Sequence, residues 1–274
     1  MQYNKKRNNL KDDFQTEKRQ RLIMDITMVG FLMAMGFVAS FVDAVVGGGG
    51  LISVPALMCT GLSPVTVLGT NKVAAVMGAV TSFITFIRSG KVDFGLIKYL
   101  FPCSLVGSAV GVFAVRLVPP DFLRPLVVVM LIVVSIYSVT KRDLGIQSTY
   151  HGMTRRKLIL SALTAFAFGF YDGFFGPGTG SFLLFSFLLI GFDFIVASGN
   201  SRALNFASNI AAALIFSYVG EVNFSYALPM GAAMIIGAWC GAKVAIRKGA
   251  AYVRPLFLGV TIVLIGKQLW DLCK

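Results

Sequence analysis

Histidine and acidic residues are scarce in this 274-residue chain, which contains one histidine, His151, and 12 aspartates and glutamates. The four cysteines are scattered, and no two of them have the CxxC spacing of zinc and redox sites. This inventory builds neither a metal cluster nor a cysteine–histidine nucleophile pair, and no cofactor fingerprint accompanies it. We therefore expect no metal and no cofactor, and we expect the cysteines to pack as small apolar residues.

Charged residues are also scarce, at 14% of the chain, whereas a soluble domain carries about 25%. Hydrophobic residues make up 56% and form long runs at 24–46, 123–139 and 256–269. A run of about 20 apolar residues crosses the hydrocarbon core as a helix, and such runs are too long for barrel strands. The sequence predicts an all-α protein that crosses a membrane several times.

The net charge of +13 comes largely from basic segments beside the apolar runs. Such segments mark the cytoplasmic side of a membrane protein, so we predict a cytoplasmic N-terminus, a lipid bilayer as partner and no nucleic-acid partner. The first apolar run is longer than the core of a signal peptide, and we expect it to be retained as a helix. The basic residues are Lys5, Lys6, Arg7, Lys11, Lys18, Arg19 and Arg21 before the first run, and Lys141, Arg142, Arg155, Arg156 and Lys157 in the central loop.

The chain repeats itself with an offset of 129 and then 130 residues. The segment FVASFVDAVVGGGG (37–50) corresponds to FAFGFYDGFFGPGT (166–179), and GTNK (69–72) corresponds to GNSR (199–202). We infer two homologous halves. The predicted divisions are a basic cytoplasmic extension (1–21), a first transmembrane repeat (22–140), a basic cytoplasmic linker (141–153) and a second transmembrane repeat (154–272).

About eight transmembrane helices are predicted, four in each half, with the first helix of each half broken. An even number of crossings implies that the halves run parallel and that both basic segments are cytoplasmic. One feature conflicts with this arrangement, because it puts the cations Lys243, Arg247, Lys248 and Arg254 outside. The predicted helices are 22–46, 64–88, 93–115, 121–140, 154–175, 194–218, 223–247 and 252–272, with short apolar segments at 50–60 and 178–190.

Glycine-rich interruptions occur at matching places in the two halves, as GGGG and GPGT. Glycine costs about 1 kcal/mol per helix position relative to alanine, so a cluster of glycines breaks a helix. Matched breaks are typical of a transporter's substrate site, and the helix that restarts after each break presents free N–H groups to an anion. The alternative is close helix packing, which the GxxxG pairs at 107–111 and 237–241 do resemble. The predicted substrate-binding residues of the breaks are Gly47, Gly48, Gly49, Gly50, Gly176, Pro177, Gly178 and Thr179.

Ionisable residues also lie within the apolar stretches, as Asp43 and Asp172, and as Lys72 and Arg202 one helix after each break. Such groups are costly at membrane depth unless they are paired or face water, so they are functional candidates. We predict that one of the aspartates couples transport to protons. The alternative is a structural aspartate–cation pair that locks each break, with Arg202 held by Asp172. The two cations are predicted to bind substrate together with Asn71, Asn200 and Asn205.

These segments resemble the sulfite exporter TauE/SafE family of bacterial membrane transporters. The resemblance rests on DAVVGGGGLISVPAL and DGFFGPGTGSF, followed by GTNK and GNSR respectively, and covers nearly the whole chain after about residue 25. It implies a permease of the bacterial plasma membrane for small anions, with sulfite and organosulfur compounds as the associated substrates. The charged extension before Arg21 lies outside the resemblance.

The sequence therefore favours a secondary transporter of small anions, such as sulfite, sulfonates or related organic anions, linked to the proton motive force. An anion channel is one alternative, and a membrane enzyme that uses Asp43 and Asp172 as acid and base is a weaker one. A channel needs polar or carbonyl rings, usually from several subunits, whereas two matched broken helices in one chain favour a carrier.

Overall fold

The computed structural model describes residues 26–119, 122, 150, 152 and 154–272, with side chains as far as residue 249. All regular structure in these residues is helical, which confirms the predicted all-α class. The predicted helix at 121–140, the extension 1–21 and most of the linker 141–153 lie outside the described residues. The helices are α1 (Ile26–Val46), α2 (Gly50–Met58), α3 (Pro64–Arg88), α4 (Phe94–Arg116), α5 (Arg155–Phe174), α6 (Thr179–Ile190), α7 (Phe194–Tyr218) and α8 (Phe224–Leu272).

Four of these helices are long and apolar enough to cross a membrane: α1, α3, α4 and the Phe224–Gly249 part of α8. Helix α8 is interrupted at Gly249, where φ is 62° and ψ is −163°, between the helices predicted at 223–247 and 252–272. The chain is thus a multi-pass helical membrane protein, as predicted.

Side-chain caps explain where several helices begin. Asp93 accepts a hydrogen bond from the backbone N–H of Leu96 at the start of α4, and Asp193 accepts two at the start of α7. Ser63 caps α3 and is followed by Pro64, which suits a first helical position because its missing N–H is not needed there. The polar residues between the apolar runs therefore determine the helix starts.

Equivalent helices of the two halves run in opposite directions. A Cβ atom on Gly199, at the start of α7, would lie 3.3 Å from the ring of Phe86 at the end of α3. At the other end of the pair, a Cβ on Gly69 would lie 3.0 Å from Cβ of Phe216. The halves are therefore inverted, and the prediction that they run parallel is wrong.

The direction of α1 shows the physical reason for this error. Helix α1 runs parallel to α8, because Gly237 packs on the carbonyl of Phe37 and Gly241 packs on that of Phe41. Helix α3 also runs parallel to α8. Near the start of both helices, Thr70 accepts a hydrogen bond from the N–H of Asn223. Further along both helices, Gly78 packs on Met234. Two successive parallel helices require the chain to return between them. The nine-residue α2, about 14 Å long, lies on this return path instead of completing the crossing of α1.

The GxxxG pairs pack the two halves together. A Cβ on Gly107 or Gly111 of α4 would lie 2.2 or 2.1 Å from a carbonyl oxygen of α5. A Cβ on Gly237 or Gly241 of α8 would lie 2.2 or 2.4 Å from a carbonyl oxygen of α1. The helix that carries each pair therefore packs against the first helix of the other half, at a distance that only glycine allows.

The inverted arrangement places Lys243 and Arg247 of α8 at the end of the bundle where α5 begins, and it moves the charge conflict to the basic N-terminal segment. Lys243 and Arg247 line the same recess as Arg88, at the end of the bundle where α3 finishes and α4 begins. We call this end the basic end. Helix α5 runs parallel to α4 and so begins there too, with Arg155. Because α1 begins at the opposite end, the basic segments that precede α1 and α5 cannot both mark the cytoplasmic side.

Cysteine labelling tests the inverted arrangement. Arg88 and Tyr218 are equivalent by the 130-residue offset, and both are exposed at the ends of α3 and α7. In a background without the native cysteines, we expect a membrane-impermeant maleimide to label only one of Arg88→Cys and Tyr218→Cys in intact cells, and both after permeabilisation. Parallel halves would give the same result at both positions, and that outcome would refute the arrangement.

Candidate functional site

The two helix breaks contact each other in the interior of the structure, where most of their residues are buried. A Cβ on Gly47 would lie 2.3 Å from the backbone nitrogen of Ser181, and one on Gly50 would lie 2.8 Å from Cα of Pro177. The hydroxyl of Ser181 donates a hydrogen bond of 3.1 Å to the carbonyl of Val46. The breaks of the two halves are therefore in direct contact.

Glycine is required at these breaks by the backbone conformation as well as by the close contact between the breaks. Gly47, Gly48, Gly176 and Gly178 have φ between 84° and 98°, in the left-handed region that other residues rarely adopt. New helices then begin in both halves, α2 at Gly50 and α6 at Thr179. Two helix N-termini, each with a partial positive charge, are therefore brought together. Several of their first N–H groups already donate to carbonyls of the breaks, as Leu51 does to Gly48 and Ser181 does to Gly178.

Both breaks line one small polar cavity of about 40 Å³, which has room for a few water molecules. Its walls come from α1, α2, α3, α5, α6, α7 and α8. Residues of both breaks therefore share one cavity. The predicted site residues that line it are Asp43, Gly49, Gly50, Asn71, Lys72, Asp172, Gly176, Gly178, Thr179 and Asn205.

Two ion pairs cross between the halves beside this cavity. Nζ of Lys72 lies 2.8 Å from Oδ1 of Asp172, and Nη1 of Arg202 lies 2.8 Å from Oδ2 of Asp43. Arg202 also donates to the backbone carbonyl of Asp43. The alternative in which Asp172 holds Arg202 is wrong, because the inverted arrangement places each break beside the long helix of the other half.

The two ion pairs differ in burial and in hydrogen bonding. The side chain of Asp43 is 22% exposed, whereas that of Asp172 is 3% exposed. Asp43 also accepts hydrogen bonds from the N–H of Gly49 and from Nδ2 of Asn205. Oδ2 of Asp172 has no hydrogen-bond partner among the described residues. The formal charges of the four residues cancel, so the site is neutral while both aspartates are ionised.

The remaining predicted residues lie outside the cavity wall. Asn200 accepts a hydrogen bond of 2.8 Å from the N–H of Asp93 at the start of α4, so its carbonyl oxygen is engaged between helices. Arg202 is 1% exposed and lies behind Asp43. Gly47, Gly48 and Pro177 complete the breaks without lining the cavity. The substrate-binding roles of all these residues remain predictions.

The chain is similar to known proteins over most of its length. The family model described as Sulfite exporter TauE/SafE matches residues 32–267. The chain belongs to the sulfite exporter TauE/SafE family. A probable membrane transporter protein of Haemophilus influenzae is 33% identical over 247 residues, covering 90% of this chain and 96% of that protein. The probable membrane transporter protein YfcA of Escherichia coli K12 is 34% identical over 245 residues, covering 89% and 90%.

A more distant relative, the probable membrane transporter protein YunE of Bacillus subtilis, is 25% identical over 265 residues and is covered over 96% of its length. No solved structure matches the chain significantly. Membership of the TauE/SafE family confirms the resemblance and identifies the chain as a member of a membrane-transporter family. None of these relatives' names specifies a substrate.

The structure of this TauE/SafE member adds cavity residues that the sequence interpretation missed. Ser40 precedes Asp43 by about one helical turn in α1, Ser53 lies in α2, and Asn209 follows Asn205 by four residues in α7. Nδ2 of Asn209 donates to the backbone and side-chain oxygens of Asn205, each at 2.7 Å. A search for polar residues one turn from each predicted site residue would have found Ser40 and Asn209.

Proposed function

We propose that this TauE/SafE protein is a secondary transporter of small anions in the bacterial plasma membrane, coupled to protons, and not an enzyme. One observation carries the proposal: broken helices from two inverted halves line a single polar cavity beside two cations. Inverted repeats with discontinuous helices at their interface are the arrangement of many secondary transporters.

The ion pairs suggest how protons would be coupled to the anion. Lys72 and Arg202 are each neutralised by an aspartate, so an incoming anion competes with a carboxylate for the cation. Protonation of that aspartate removes the competing charge and leaves a net positive site. The proton and the anion would then bind together and leave the site neutral, so that the two would be transported in the same direction, as in a symporter.

The size of the cavity favours anions with few atoms. A volume of about 40 Å³ holds a few water molecules and fits sulfite or a small sulfonate better than a large organic anion. Proteoliposomes containing the purified protein should be screened with sulfite, sulfate, thiosulfate, sulfonates and small carboxylates under imposed pH gradients. We expect accumulation that depends on the gradient; downhill flux alone, at a rate that does not saturate, would indicate a channel.

The aspartates are tested by separating coupling from exchange. We expect Asp43→Asn or Asp172→Asn to weaken pH-driven accumulation more than substrate exchange, because an amide cannot take up the transported proton. Asp193→Asn is the matched control, since Asp193 caps α7 outside the cavity and asparagine also caps helices well. An equal fall of accumulation and exchange in both cavity variants would contradict proton coupling.

The orientation in the membrane is part of the same proposal. The described cations at the basic end favour a cytoplasmic location for that end. The seven cations from Lys5 to Arg21 instead favour a cytoplasmic location for the N-terminus. The structure permits only one of these, because α1 and α5 begin at opposite ends. Labelling of Tyr218→Cys in intact cells would place the basic end in the cytoplasm, and labelling of Arg88→Cys would place the N-terminus there.

A further inference from the structure

A second basic site lies far from the cavity, at the basic end of the bundle. Thr85, Arg88 and Ser89 of the α3 terminus face Trp239, Lys243, Ile246 and Arg247 of α8 across a recess of about 370 Å³. Arg88 follows Lys72 by 16 residues, about 24 Å along α3. The recess is therefore separate from the cavity between the breaks.

Three cations line this recess without a carboxylate among its lining residues. No described acidic residue forms a salt bridge with Arg88, Lys243 or Arg247. Nζ of Lys243 lies 3.6 Å from the ring centroid of Trp239, so its ammonium is held against the indole. Three positive charges that repel one another at one recess are best stabilised by an external anion.

The duplicated half shows that the fold does not need these charges. By the 130-residue offset, Arg88 corresponds to Tyr218, while Trp239, Lys243 and Arg247 correspond to Ala109, Phe113 and Leu117. None of these four counterparts is charged, and the counterparts of the whole recess lining include one cation, Arg116, which corresponds to Ile246. The basic recess is thus an addition at one end of the molecule, which points to a ligand there.

The surroundings of the recess indicate what kind of anion it would bind. The outer face of α8 exposes Ile235, Ile236 and Trp239 by 39%, 58% and 48%, so an apolar, lipid-facing surface leads into the cations. Tryptophan and basic residues in this order are typical of the level of the lipid headgroups, where juxtamembrane Lys and Arg attract anionic lipids. We propose that the recess binds the headgroup phosphate of an anionic phospholipid, with the acyl chains lying along α8.

Lipid binding to the purified full-length protein tests this proposal. Native mass spectrometry and thermal unfolding should be measured with phosphatidylglycerol, with phosphatidylcholine and with inorganic phosphate. We expect phosphatidylglycerol to bind and to raise the Tm, and we expect Arg88→Gln/Lys243→Gln/Arg247→Gln to weaken that binding at least tenfold. Lys98→Gln, which removes an exposed cation near the start of α4 outside the recess, should leave it unchanged.

Several results would overturn the proposal. Equal binding of phosphatidylglycerol by the wild type and the triple variant would show that the recess is not the binding site of this lipid. If the wild type bound phosphatidylcholine as well as phosphatidylglycerol, the site would not select for the negative charge of the lipid. Protection by inorganic phosphate as strong as that by the lipid would assign the recess to a soluble anion. If the triple variant does not fold, Lys243→Gln alone should weaken binding severalfold, and an unchanged affinity would refute the site.

Discussion

Arg202→Gln is expected to destabilise the protein and abolish high-affinity transport. The guanidinium is buried, and it holds both the side chain and the backbone carbonyl of Asp43. Removing one partner of a buried ion pair typically costs about 3–5 kcal/mol, because the other charge is left unpaired. The Tm of the purified variant and its apparent substrate constant in proteoliposomes are the measurements.

A double variant separates the structural part of this effect from substrate binding. We expect Asp43→Asn/Arg202→Gln to recover much of the lost stability, since no charge is left alone, but to keep an apparent substrate constant at least tenfold above the wild type. Arg202→Lys should recover only part of both, because one ammonium cannot replace Nη1, which donates to Asp43, and also Nη2, which donates to Gly180 and Ser201. A double variant that transports with normal affinity would show that Arg202 serves only to hold Asp43.

Gly47→Ala is expected to separate the two breaks and to eliminate transport. The new methyl group would lie 2.3 Å from the backbone nitrogen of Ser181 and 2.4 Å from the carbonyl carbon of Gly180, so backbone has to move. The residue also has φ of 84°, which costs an L-residue about 1–2 kcal/mol. We expect a lower Tm and no detectable uptake at normal expression.

Gly48→Ala is the matched control for that experiment. Gly48 has nearly the same backbone angle, φ 87°, but the nearest atom to an added Cβ is 3.4 Å away. This variant carries the backbone strain without the clash, so it should lose some stability and keep most transport. Similar losses in both variants would show that backbone strain, and not the contact between the breaks, is decisive.

Local features of the fold follow directly from residue order. Helices α3 and α7 have the predicted bounds because apolar runs are delimited by caps such as Ser63 and Asp193. The breaks were found because a glycine cluster interrupts a helix wherever it occurs. The duplicated pattern then indicated which residues of the two halves are equivalent, so that two cations and two aspartates could be assigned to one site.

Relations between distant segments were harder to predict. Whether α2 completes a crossing or returns the chain depends on packing at the break, and a nine-residue helix is compatible with either. This ambiguity produced the prediction of parallel halves. Asn200 illustrates the same limit, since its contact with the N–H of Asp93 joins residues 107 positions apart. The misplaced cations of α8 were the one sequence signal that pointed to inversion.

The exchange of partners between the halves also constrains how the protein can be made. Lys72 and Asp43 are synthesised long before Asp172 and Arg202, which are their partners in the folded protein. A ribosome-bound first half therefore holds two charges whose final contacts do not yet exist, and the cavity can form only after α7 has entered the membrane. Truncation before residue 202 should leave a chain that quality-control proteases remove, whereas the two halves expressed as separate chains should rescue each other.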